Sequence, residues 1–532
     1  MHKMGMKALK WPIRAKKGRF SLWTLARPGK GCWQIYLCAV AALVIAALAY
    51  SLPGGEGLAS LRNRYDLALD FYPQTRQLDG VARVDYCNTA PDRQEEMYFH
   101  LYPNAFADEE STPIPKEEWE MAYPEGFTPG GMQVAAVRVD GKNVPVVLDG
   151  QSEDILCVDL PRALAGGERC RVEIEYSVTL PKLNYRTGQG ANGFQFGQCY
   201  PILAVYDETG WNLDPYYANG DPFYFECADY RVTMTLPEEL VLAHTGEQLR
   251  QQACFGRKRL YFEAENVREF AMMASRGYTV QTAMAGDVEI RSYAWNEEGG
   301  AQALEYAKDT VDFLSELLIP YDGAQLSVAQ SDFYVGGMEY PHLVQIDETF
   351  YRTWELYPYL EMITVHETAH QWFYGLVGND EVDEPWLDEA LTEYMTMRYY
   401  GYRYDEAAEK RAFRNFITAD LLDMAPEGIP EPPLQNSLMP SFEYANGTEY
   451  SAQVYARGAY ALRETERYMG REAFDAALRT YVEQRAHQVA TGDDLYAALE
   501  AQKPGAGEYL HDWLSGRKRI LRSSLLQEMQ QP

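Results

Sequence analysis

Between about residue 65 and residue 281, apolar and polar positions alternate with a period of two, which predicts strands. Residues 132–148 predict a hairpin. Alternating apolar residues run to a turn at Asp140-Gly141, and a second arm runs from Val144 to Leu148. Residues 155–160, 169–180, 230–236 and 260–263 continue the pattern. A run of strands with few helical interruptions implies an antiparallel β-sheet domain of sandwich type. Near Asn296 the period lengthens. Leu304, Ala307, Val311, Leu314 and Leu318 lie on one helical face, and Pro320 stops the helix. A strand-like run at 325–329 follows. Then come an apolar helical pattern through Met362, Val365, Ala369, Trp372, Phe373 and Leu376, a helix at 386–400 and a Pro-rich surface loop at 425–444. Helices at 454–468, 471–483 and 492–501 close the pattern. The chain therefore reads as multidomain: a β-sheet domain over 60–282, then an α+β domain over 283–520.

The first 52 residues differ from the rest. Residues 1–30 hold nine Lys or Arg and no acid, while the whole chain carries −30, so the remainder carries about −39. Residues 32–52 contain no charge and are long enough to span a bilayer, with Trp33, Tyr36 and Tyr50 near the ends. The expectation is a basic cytoplasmic segment at 1–31 and a membrane-spanning anchor at 32–52 in contact with lipid. The body then lies outside the cytoplasm at the cell membrane. A cleaved signal ending near Ala47-Leu48-Ala49 is the alternative, and it would give a secreted protein. The acidic body excludes nucleic acid as a partner, because it repels phosphate, and it attracts cations such as peptide amino termini. Six cysteines lie in the body, none at C-x-x-C spacing; Cys157 and Cys170 fall in adjacent strand-like runs and could pair.

The chemistry concentrates at Val365-His366-Glu367-Thr368-Ala369-His370, an H-E-x-x-H on a stretch free of Gly and Pro from 360 to 374. On a helix, His366 and His370 share a face and can hold one Zn²⁺, with Glu367 beside it as general base. The bland alternative is a buried helix with satisfied histidines. Zinc needs a third protein ligand, and Glu389 lies on the next helix in an apolar setting of Trp386, Leu387, Ala390 and Leu391. A solvated helix carboxylate is the alternative for Glu389.

H-E-x-x-H, eighteen residues, then Glu in a W-L-x-E-x-x-x-E-Y context resembles the gluzincin aminopeptidases, the family of aminopeptidase N and leukotriene hydrolase. Two further stretches match its motifs in order: Gly336-Gly337-Met338-Glu339-Tyr340 and Tyr455-Ala456-Arg457-Gly458-Ala459. The resemblance covers about residues 60–515. It implies a saddle-like β domain, a thermolysin-like catalytic domain and one Zn²⁺ held by His366, His370 and Glu389. It implies that Glu367 activates a zinc-bound water and that Tyr455 stabilises the oxyanion, with Tyr450 as an accessory candidate. Glu339, with Gly336 and Gly337 allowing close approach, would bind the free α-ammonium of a peptide. Gln195, or Gln198, would assist from the β domain, and Glu393 would orient a zinc histidine. Two departures stand out. Tyr340 replaces the family Asn, and the large C-terminal helical domain of longer members has no counterpart.

These readings converge on a zinc aminopeptidase acting on peptides with free amino termini. A catalytically silent peptide- or partner-binding ectodomain, and an endopeptidase or epoxide hydrolase on the same frame, are the rivals. The preferred first residue and the oligomeric state are left open.

Overall fold

Asn63–Tyr72 illustrates how the first half is built: Tyr65, Leu67, Leu69 and Phe71 are buried, and the residues between them face outward. The structure is a computed structural model that describes residues 62–425, 427–428 and 435–530. The basic segment and the apolar run at 32–52 lie outside the described residues. Among the described residues no helix is long and apolar enough to cross a membrane.

Eight strands form the main sheet, with Asn63–Tyr72 and Gln77–Cys87 near its centre. Two four-stranded sheets join it, and the edges of Phe194 and Phe196 pack on Phe71 at 4.9 and 4.8 Å between ring centroids. The region is not wholly antiparallel. Asn63–Tyr72 pairs in parallel with Ala228–Pro237, a long-range pairing that no local turn announces. The hairpin is also shorter than its pattern. Gly131–Val139 turns at Asp140 and Gly141, both at positive φ, and returns only as Lys142–Val144. Pro145 then interrupts the ladder, and Val147–Asp149 pairs with Ile155–Leu164 in a different sheet. Cys157 and Cys170 consequently sit in separate sheets and do not pair. The thiols of all six body cysteines are free.

The second half is built on a five-stranded mixed sheet in the order Thr279–Ala285, Val288–Ala294, Gln325–Ser331, Leu343–Asp347, Gly337–Met338. The helix Glu297–Leu317 crosses between the parallel strands Val288–Ala294 and Gln325–Ser331. It starts earlier than its apolar face, because the Asn296 side chain caps it by accepting from Gly299 N at 2.9 Å. Gly337–Met338 is the sheet's edge, bonded on one side only.

The H-E-x-x-H helix, Tyr359–Ala369, packs between Glu297–Leu317 and Trp386–Arg403. Its apolar period runs on to Leu376, but the α-helix stops at Ala369, with His370 still right-handed at its end. The chain then turns through Tyr374 at φ 124°. A tertiary contact holds the turn that follows. The buried Arg268 guanidinium donates to the carbonyls of Tyr374 (2.5 Å), Leu376 (3.3 Å), Phe225 (2.9 Å) and Gln488 (2.7 Å). The backbone oxygens of residues 374 and 376 are drawn to a cation instead of to the next helical turn.

Candidate active site

His366 and His370 leave the last turn of Tyr359–Ala369 on one face, and Glu389 meets them from the first turn of Trp386–Arg403. His366 Nε2, His370 Nε2 and Glu389 Oε2 form a triangle with all three sides 3.2 Å. Tetrahedral ligands at zinc-bond length stand about 3.3 Å apart, so the triangle has the right edge for that ion. The donor chemistry agrees. His366 Nδ1 faces Glu393 Oε2 at 2.9 Å and His370 Nδ1 faces the Phe373 carbonyl at 2.9 Å. Protons on those nitrogens leave both Nε2 lone pairs and a carboxylate oxygen pointing at one another, an arrangement a cation relieves. Burial disfavours charge on the imidazoles, yet Glu389, Glu393 and Glu339 outweigh it and raise both, His366 to about 9. Burial also opposes ionisation of Glu389, but His370 and His366 hold its carboxyl below the usual range. Positive charge is therefore favoured where the triangle points. The residues fit Zn²⁺ as His₂Glu.

Glu367 is buried one residue from the first ligand and faces the edge strand. A β-carbon at Gly337 would run into its carboxylate, so only glycine admits the base there. Its Oε2 has no hydrogen-bond partner, and burial lifts its carboxyl to about 7 against the pull of the two imidazoles. Tyr455 donates from its hydroxyl to Glu389 Oε1, and its ring lies 5.7 Å from His366. It sits in a π-helical turn, Ala452–Arg457. Gly458 follows, and a β-carbon there would strike Ala390, so the glycine lets the Tyr455 segment close on the Glu389 helix. Arg457 is buried. It donates to Gln435 Oε1 at 2.8 Å and to the Trp513 carbonyl, tying the turn to the C-terminal helices. Tyr450 packs edge-on to Tyr455 at 5.9 Å.

Glu339 is buried with Oε1 unpartnered. Burial and the neighbouring Asp221 carboxylate push it well above the usual carboxylate range. Gln371 holds its strand: Gln371 Nε2 donates to the carbonyls of Glu339 (3.3 Å) and Tyr340 (3.1 Å), and Oε1 accepts from His342 N at 2.8 Å. Tyr340 turns its ring into the core of the β-rich half, with its hydroxyl against Gly197.

Gln195 lies buried in Gly193–Phe196 with Oε1 unpartnered, and Gln198 donates to Glu269 Oε2 at 2.7 Å. The β-rich half also brings Asp221 to the metal ligands. Asp221, Glu339 and Glu389 each have a carboxylate oxygen within 4.8 Å of the others. Asp221 is paired with the buried Arg186, which also donates to the Tyr216 hydroxyl at 3.2 Å. Gly220, at φ 70°, abuts the Tyr450 hydroxyl, and Asn219 Nδ2 donates to the Tyr444 carbonyl at 3.1 Å. Sequence reasoning missed Asp221 because it lies in an irregular run. Its one local signal is the Gly-Asp-Pro punctuation at 220–222. Glu393→Ala should lower zinc affinity by about 10–100-fold, because it frees the His366 ring and its tautomer. Competition titration with a zinc chelator measures this, and an unchanged affinity would remove Glu393 from that role.

Residues 302–513 match the model of the peptidase family M1 domain. Over these residues the chain is similar to that family. This is the family whose motifs it resembles. The chain is 26% identical over 306 residues to aminopeptidase M1 of Arabidopsis thaliana, covering 54% of this chain and 33% of that protein. It is 24% identical over 405 residues to aminopeptidase N of Lactobacillus delbrueckii subsp. lactis, covering 72% and 46%. The chain thus spans about a third to a half of the length of these relatives. A solved M1 zinc metallopeptidase from Deinococcus radiodurans has the same fold at a TM-score of 0.59, with 21% identity, covering 86% of this chain and 94% of that one. That likeness covers the β-rich region here as well as the residues that match the family model.

Proposed function

We propose that the protein is a zinc-dependent aminopeptidase that removes single residues from peptide amino termini. The observation that carries the reading is Glu339. It has a buried, unpartnered carboxylate oxygen close to His370 and Glu389, with Asp221 beside it, and this acidic cluster can accept a positive charge. A peptide α-ammonium supplies that charge as a desolvated, charge-assisted hydrogen bond. An endopeptidase has no use for such an anchor, and the assembled base argues against a silent binder. Among structural relatives, an M1 zinc metallopeptidase has been solved bound to L-arginine, an amino acid with a free amine, which is consistent with this reading.

Zinc held by His366, His370 and Glu389 would acidify a water and polarise the scissile carbonyl. Glu367 takes a proton from the attacking water and delivers it to the leaving amine, a task suited to a carboxyl near neutral pH. The Tyr455 hydroxyl, next to the ligands, turns from Glu389 to the oxygen that gains charge as the carbonyl is attacked. Glu339 and Asp221 fix the amine, so that the first peptide bond is the one beside Glu367. The uncharged run at 32–52 behind a basic segment supports anchorage in the cell membrane with the M1 domain outside.

Aminoacyl fluorogenic substrates with free and N-acetylated amines test the reading. Free-amine substrates should turn over, and acetylated ones should be slower by two orders of magnitude or more. Equal rates would refute the aminopeptidase assignment. Glu339→Ala should erase that difference by slowing only the free-amine substrates, and a uniform loss would deny Glu339 the anchor.

A further inference from the structure

Glu339 stands where the edge strand gives out. Gly337–Met338 pairs with Ile346 and Gln345, and the ladder ends there. The chain then reverses through Tyr340-Pro341-His342-Leu343. Leu343 N donates to the Tyr340 carbonyl at 2.9 Å, and His342 lies at φ 61°. Pro in the second position and a positive φ in the third make this a type II turn, where glycine is usual at the third. Glu339 therefore sits between a strand end and a tight turn, with little regular structure to hold it. Gln371 supplies what the ladder does not. Its amide reaches three backbone groups around Glu339, the carbonyls of Glu339 and Tyr340 and the N–H of His342. The residue is buried and directly follows His370. Its own backbone is fixed along with that residue: Gln371 N donates to the Thr368 carbonyl at 3.2 Å, and its carbonyl accepts from Leu376 N at 3.1 Å. A β-carbon at Gly375 would lie 3.0 Å from the Gln371 carbonyl oxygen, so the turn closes tightly on it. One side chain thus joins the segment of the metal ligands to the segment of Glu339.

We propose that Gln371 is a positioning residue: it fixes the distance between Glu339 and the metal ligands, and so makes the first peptide bond the one that is cut. The inference rests on the aminopeptidase reading, in which Glu339 takes the α-ammonium. The nitrogen and carbonyl carbon of one residue are about 2.5 Å apart, a span set by covalent geometry. A substrate held by its amine can place its first carbonyl at the metal only if the protein holds the matching spacing. A misplacement of about 1 Å costs about a hundredfold in rate.

Gln371→Met keeps the length of the side chain and removes its hydrogen bonds. In the full chain, kcat/KM is compared between aminoacyl fluorogenic substrates with free and with N-acetylated amines, and zinc is counted by atomic absorption. Zinc should stay at one per chain, and the free-to-acetylated ratio should fall by about tenfold or more. In a Glu339→Ala background the same substitution should cost less than about threefold, because no anchor remains to be placed. Gln371→Glu keeps the acceptor for His342 N and loses the donor to the two carbonyls. It should lower the ratio in the same way, so the test does not hinge on one variant folding. An unchanged ratio in both variants would overturn the inference, as would equal losses on the two substrates or full additivity with Glu339→Ala. Loss of zinc in step with activity would make Gln371 a support of the metal and would also overturn it. If the parent chain cuts free and acetylated substrates alike, the aminopeptidase reading itself fails and the inference falls with it.

Discussion

Glu367→Gln should lower turnover by about 10²–10⁴-fold while zinc stays bound at one per chain. The substitution keeps the shape of the side chain against Gly337 and removes only its capacity to take a proton. Glu367 is not one of the three atoms in the 3.2 Å triangle, so the metal ligands are left as they are. Its unpartnered Oε2 means that no structural hydrogen bond at that atom is lost. Zinc content by atomic absorption, measured beside kcat, separates the two roles. Retained turnover would strip Glu367 of the base assignment. Loss of zinc together with turnover would recast it as part of the metal's support.

Glu389→Ala should abolish both stoichiometric zinc and turnover. It removes one corner of the triangle and the oxygen that receives the Tyr455 hydroxyl. The buried imidazoles of His366 and His370 are then left with two facing nitrogens and less negative charge to offset a dication. Two protein ligands do not make a zinc site of this kind. The expected loss of affinity exceeds the 10–100-fold that follows when a partner outside the ligand set is removed. Dialysed protein assayed for metal checks this, and one zinc per chain in the variant would exclude Glu389 as a ligand. Metal that binds only the folded chain also stabilises it, so the variant should melt below the zinc-loaded parent.

The parts of the site legible in the sequence are those with fixed local geometry. His366 and His370 announce themselves because the helix turns four residues into one face, and Gly336-Gly337 because close approach requires glycine. Asp221 and Arg186 left no comparable trace. They lie 35 residues apart in segments without period, and only the tertiary fold brings them to each other and to Glu339. The π-helical turn around Tyr455 is equally silent, since nothing in Ala-Gln-Val-Tyr-Ala-Arg distinguishes five-residue from four-residue hydrogen bonding. At the level of fold, alternation correctly indicated a region rich in sheet but not the partner of each strand. The parallel pairing of Asn63–Tyr72 joins residues more than 150 apart. The turn after the H-E-x-x-H helix is likewise held by Arg268, about a hundred residues upstream.

Arg268 has one more consequence. Its single guanidinium holds carbonyls from the β-rich half at Phe225, from the turn behind the metal ligands at Tyr374 and Leu376, and from the approach to the C-terminal helices at Gln488. A buried charge of this kind is tolerated only while all its partners are present. Prising the β-rich half away would strand it, and with it the backbone that orients His370. The two halves should therefore melt together. Heating the chain should give a single transition, with no surviving catalytic fragment.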